Sequence, residues 1–79
     1  RSSFFKCYAQ LLQSNPEAKG MLTLNFVIEP SGHVQQPAID SKDLTDKNFQ
    51  KCLIETLKRL EFRSFAGPSV STLFPMKFE

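Results

Sequence analysis

Two cysteines and one histidine are the side chains of this 79-residue sequence best suited to act as a nucleophile, a metal ligand or a redox pair. A thiol nucleophile needs a nearby base, yet His33 follows a turn glycine, whereas Cys7 and Cys52 lie on the apolar faces of predicted helices. A zinc site built from these three residues would lack the closely spaced ligand pairs of structural zinc modules. Two interpretations of the cysteines remain open: they form a disulfide, if the helices bring them together, or they are two buried, reduced thiols.

Other catalytic patterns are missing from the sequence. Three aspartates stand at positions typical of loops and helix caps: Asp40, Asp43 and Asp46. Three glycines are too scattered for a phosphate-binding loop: Gly20, Gly32 and Gly67. We therefore predict a protein that is not an enzyme and that has neither a cofactor nor a metal site.

Length and composition indicate one small globular domain over residues 1–79, with 41% hydrophobic and 23% charged residues. A net charge of +2 is too small to suggest a surface for polyanions. No apolar run approaches the roughly 18 residues that a membrane span needs. Because the sequence opens at Arg1 and not at a methionine, we expect a fragment of a longer protein whose targeting signals lie upstream.

Hydrophobic periodicity predicts the order helix, strand, strand, helix, strand. Apolar residues recur at helical spacing in residues 2–13, where Ser2 or Ser3 can cap the helix, and again after a cap at Thr45 or Asp46. Alternating apolar and polar residues predict strands over 21–29, 33–39 and 70–78.

Prolines predict the arrangement of these strands. Pro30 and Gly32 suit the second and fourth positions of a type I turn, which makes the first two strands a hairpin. Pro37 and Pro75 favour edge positions for the second and third strands, because a central strand needs every ladder donor. The predicted fold is α+β: a three-stranded antiparallel sheet, first strand central, with both helices on the face lined by Leu22, Leu24, Phe26 and Ile28.

One set of residues, in a fixed order along nearly the whole chain, has the pattern of a known family. The set is Cys7-Tyr8, Gly20, the strand 22–28, Gly32-His33-Val34, Cys52, Leu57, Leu60, Phe62 and the terminal strand Phe74-Pro75-Met76-Lys77-Phe78. Together these features resemble the TonB C-terminal domain superfamily, in particular its AgmX/PglI-type branch. Leu60 and Arg63 depart from that branch, which often has a tryptophan and a proline at these positions.

Membership of this superfamily implies a periplasmic domain of an inner-membrane-anchored protein, with the membrane helix upstream of this fragment. Such domains engage an outer-membrane or periplasmic partner protein in energy-transducing or gliding-motility-type complexes. The resemblance also favours the disulfide between Cys7 and Cys52, which agrees with an oxidising periplasm.

The resemblance further implies that a partner segment adds as a strand to an exposed sheet edge. By this analogy the predicted partner-binding residues open the terminal strand: Ser69, Val70, Ser71, Thr72, Leu73 and Phe74. Pro75 argues against such binding, because it removes one backbone donor from the edge. Two alternatives are that flanking segments of the full-length protein cover this edge or that it forms a weak homodimer. Nucleic-acid binding is a further alternative, although the bare sheet face offers Thr23, Asn25 and Val27 and no ring to stack on a base.

Overall fold

The computed structural model describes residues 3–79, which form two helices and one three-stranded antiparallel sheet in the predicted order. The α+β prediction is therefore confirmed, and the first helix and the three strands begin and end within one residue of the predicted bounds. The elements are α1 (Ser3–Ser14), β1 (Gly20–Ile28), β2 (Val34–Asp40), α2 (Lys47–Lys58) and β3 (Val70–Phe78).

Helix α2 begins at the predicted cap. Asp46 is its N-cap, and the carboxylate accepts a 2.9 Å hydrogen bond from the Phe49 N–H. Ser3 is the first residue of α1 and not the cap before it, and the alternative cap Ser2 lies outside the described residues. Neither helix within residues 3–79 is long and apolar enough to cross a membrane.

The sheet has the strand order β2-β1-β3, as the prolines predicted. The Gly32 N–H donates to the Glu29 carbonyl at 2.7 Å, which closes the turn of the β1–β2 hairpin. Pro37 lies at an irregularity of β2, next to Gln36 with a φ of 54°, so its missing donor falls where the ladder is already interrupted.

Both helices pack on one face of the sheet, and the core between them is rich in aromatic rings. Phe78 of β3 is completely buried. Its ring centroid lies 4.9 Å from that of Tyr8, 5.4 Å from that of Phe5 and 5.5 Å from that of Phe49. The end of β3 is thereby held by side chains from both helices.

The helices leave one part of this face open. Val70 and Phe74 belong to the same alternating set as Phe78, yet they are 48% and 50% exposed. Sequence periodicity predicted which face they share but not that the helices stop short of them.

Candidate functional site

Cys7 and Cys52 form a disulfide, which confirms the pairing that the resemblance favoured. Their Cα atoms are 5.8 Å apart, and the bond joins α1 to α2 across 45 residues of sequence. Since both sulfurs are bonded to each other, neither is available as a thiol nucleophile or as a thiolate ligand.

The histidine and the aspartates have local structural contacts. The His33 Nδ1 lies 2.9 Å from the Ser31 hydroxyl within the hairpin turn, at the protein surface. Asp43 accepts a 3.3 Å hydrogen bond from the Met21 N–H, while Asp40 is the exposed last residue of β2. Over residues 3–79, no three His, Cys, Asp or Glu side chains are grouped in a way that could hold a metal ion.

The backbone of β1 alternates between its two neighbouring strands, and two hydrogen bonds identify which residues face β2. The Glu29 N–H donates to the His33 carbonyl at 2.9 Å across the hairpin. The Ser41 hydroxyl, which follows β2, donates to the Met21 carbonyl at 2.7 Å. Because consecutive residues of a strand direct their backbone groups to opposite sides, odd-numbered residues of β1 face β2 and even-numbered ones face β3.

This alternation fixes which residues of β3 bond to β1. Leu24 is opposite Phe74, and Phe26 is opposite Thr72. Since Leu24 and Phe26 are even-numbered, they face β3, and Thr72 and Phe74 must direct their own N–H and carbonyl groups toward them. The alternate residues of β3 direct their backbone groups away from the sheet.

The outer edge of β3 therefore carries the backbone groups of Ser71, Leu73, Pro75 and Lys77. Within residues 3–79 no strand pairs with this edge, so the N–H and carbonyl groups of Ser71 and Leu73 are open to a partner strand. Pro75 has no N–H, and its position opposite Thr23 puts the missing donor on the outer edge and not in the β1–β3 ladder. Pro75 thus interrupts the free edge without weakening the sheet.

An apolar groove of about 290 Å³ lies beside this edge, on the face that carries the helices. Its exposed wall is entirely apolar. β1 and β3 form the floor, and the beginning of α1, the end of α2 and the segment after α2 form the sides. The lining residues are Phe4, Leu24, Phe26, Ile28, Leu57, Leu60, Phe62, Thr72 and Phe74.

The hairpin turn holds one side of the groove in place. The Phe62 N–H donates to the Gly32 carbonyl and the Phe65 N–H to the Pro30 carbonyl, both at 2.9 Å. Gly32 has a φ of 94°, and a Cβ atom there would meet the Phe62 carbonyl group, so only glycine allows this approach. The Phe62 ring then stacks near that of Phe26, with centroids 6.4 Å apart.

The predicted partner-binding residues divide between the free edge and the groove. Ser71 and Leu73 supply the outward backbone groups, and the Leu73 side chain, 70% exposed, lies on the face without helices. Thr72 and Phe74 line the groove, while Val70 and Ser69 are exposed at the start of the edge.

The groove itself was not predicted from the sequence, because both helices were expected to cover the sheet face on which it lies. The one available signal is the number of large apolar residues that continue past the end of α2. Leu60, Phe62 and Phe65 follow Lys58, the last residue of the helix, within a mostly exposed segment that has no other large apolar residue before Val70.

Comparison with family models, curated proteins and solved structures finds no match for this chain.

Proposed function

We propose that this chain is a protein-binding module that pairs with an extended segment of a partner protein at the outer edge of β3. The partner would be an outer-membrane or periplasmic component of an envelope-spanning, energy-transducing or gliding-motility-type complex. The observation that carries the proposal is the pair of outward-facing residues Ser71 and Leu73, whose backbone donors and acceptors have no partner strand within residues 3–79.

The side chains around this edge support protein binding. Val70 and Phe74 are exposed on the face that carries the helices, and Leu73 is exposed on the opposite face of the same strand. Exposed apolar side chains therefore border the free edge on both faces of the sheet, as is typical of an interaction site. Pro75 and the charged Lys77 at the far end of β3 limit edge-to-edge self-pairing.

Two further observations support the proposed compartment. The Cys7–Cys52 disulfide is of the kind that persists in an oxidising environment such as the bacterial periplasm. The resemblance to TonB C-terminal domains, carried by the cysteine pair and the terminal strand, implies the same compartment and the same mode of binding.

Site-specific photo-crosslinking in cells that produce the protein tests this proposal. A photoreactive residue in place of Leu73 is expected to form an adduct with one envelope protein. The same residue in place of Lys51, exposed on α2, is the matched control and should give no adduct with that protein.

A second variant separates edge pairing from mere proximity. Ser71→Pro removes an outward donor without touching the β1–β3 ladder, and it should abolish the Leu73 adduct. An adduct that forms equally from both labelled positions, or that persists with Ser71→Pro in a folded protein, would contradict strand addition at this edge.

A further inference from the structure

We propose that the apolar groove selects the partner by its side chains: the added strand carries a large apolar residue opposite Thr72 and a second apolar residue, two positions away, opposite Phe74. The occupant is therefore an extended segment of a partner protein with apolar residues at alternate positions. This inference rests on the proposed strand addition at β3 and specifies the chemistry of the segment that is bound.

Strand alternation directs particular side chains of the partner into the groove. Thr72 and Phe74 project on the same face as Leu24 and Phe26, where the helices pack. In a sheet, residues directly opposite each other project to the same face. The partner residues opposite Thr72 and Phe74 must therefore lie over the groove, while those opposite Ser71 and Leu73 lie on the face without helices.

Thr72 leaves a passage between the partner strand and the groove. It is the smallest of the lining side chains, and its neighbour Phe74 on the same face of β3 is much larger. An added strand would lie about 4.8 Å beyond β3, so a long apolar side chain opposite Thr72 can reach over it. That side chain of the partner would contact Phe26, the residue of β1 that lies directly opposite Thr72.

The wall of the groove determines which side chains can be accepted. Because no polar atom is exposed in it, a charged or amide side chain would lose its hydration without gaining a hydrogen bond. An aromatic or branched aliphatic side chain instead gains the burial of its own surface and of the half-exposed Phe74 ring. The groove therefore discriminates in favour of apolar residues at these positions.

Pro75 limits the length of the motif. The next outward-facing position of β3 after Leu73 has no donor, so the regular ladder with a partner strand ends there. A short segment that spans Ser71 to Phe74 is sufficient to place both of its apolar residues over the groove.

Selection of short random linear peptides from a display library against this chain tests the inference. The selected peptides should share large apolar residues at two alternate positions. Replacing the larger one with alanine should weaken binding about tenfold or more, which corresponds to about 1.4 kcal/mol. Thr72→Leu, which fills the passage from the protein side, should reduce that alanine effect to less than about threefold.

The controls separate the groove from the edge. Thr23→Leu makes the same substitution on the face without helices, at a residue of β1 that belongs to neither the free edge nor the groove, and it should leave the preference at the groove positions unchanged. Ser71→Pro, or N-methylation of the peptide amides that pair with β3, should abolish binding if the peptide adds as a strand.

Three outcomes would overturn the inference in distinguishable ways. Peptides that bind in a Ser71→Pro-sensitive manner but carry polar or charged residues over the groove would overturn the selection and leave strand addition intact. Absence of any binding that responds to Ser71→Pro and to N-methylation would overturn the proposed function as well. A concentration-dependent dimer of the wild-type chain in sedimentation equilibrium, dissolved by Ser71→Pro, would assign the edge to a second copy and overturn the assignment to a partner protein.

Discussion

Reduction of the Cys7–Cys52 disulfide is expected to remove most of the stability of this domain. The bond closes a loop of 45 residues, and the chain-entropy relation gives about 4 kcal/mol for a loop of that length at 25 °C. Small domains have free energies of unfolding of about 5 kcal/mol at the lower end of the usual range. The reduced protein should therefore be only marginally folded.

Urea unfolding followed by circular dichroism, with and without a thiol reductant, measures this effect. A small domain has an m-value of about 1 kcal/mol per molar urea, so a loss of about 4 kcal/mol lowers the unfolding midpoint by about 4 M. Thiol titration on the same samples confirms the redox state. The double variant Cys7→Ala/Cys52→Ala is the control for the reductant itself, because its midpoint should not respond.

The reasoning would be refuted if fully reduced protein lost less than about 1 kcal/mol of its free energy of unfolding. In that case the packing of α1 against α2 would hold without the bond.

Three further variants test the turn, the core and the free edge. Gly32→Ala should lower the free energy of unfolding by about 2 kcal/mol or more, because it adds a steric clash to a positive φ. Gly67→Ala, at a φ of 110° with open space around it, should lower it by only about 1 kcal/mol. Similar unfolding midpoints for the two variants would exclude the clash. Tyr8→Phe should cost about 1 kcal/mol, because it leaves the Ala18 carbonyl without its 2.6 Å hydrogen bond, and an unchanged thermal midpoint would mean that water replaces the hydroxyl. Pro75→Ala should add an outward donor, so sedimentation should detect stronger self-association of a protein that remains folded. Unchanged self-association together with a higher unfolding midpoint would show that residue 75 faces β1 instead, because the new N–H would then complete the β1–β3 ladder.

The sequence pattern predicted the sheet well because alternation and proline position are local signals with a direct structural meaning. The strict alternation from Leu22 to Ile28 could only be satisfied by a strand with one buried face. Pro37 and Pro75 then excluded their strands from the centre, since a central strand needs donors on both sides.

The groove could not be predicted in the same way, because periodicity assigns a side chain to a face but does not say what covers that face. Val70, Phe74 and Phe78 repeat with the same spacing, yet only Phe78 lies under the helices and is completely buried. The coverage depends on where the helix axes cross the sheet, which is a property of tertiary packing. The disulfide was likewise undecided by periodicity alone, and the resemblance was needed to favour it over two reduced thiols.

The burial of Phe78 has a consequence for the order in which the protein can fold. Its ring fills the space among Phe5, Tyr8 and Phe49, so the core cannot close before residue 78 has become available to the rest of the chain. The two cysteines, at positions 7 and 52, can meet earlier. A chain whose last residues are still in a ribosome or a translocation pore would then be a partly folded intermediate in which β1 lacks a neighbour on one side. Such an intermediate can accept β3 from its own chain or from another molecule, so rapid arrival of the last strand protects the protein from domain-swapped assembly.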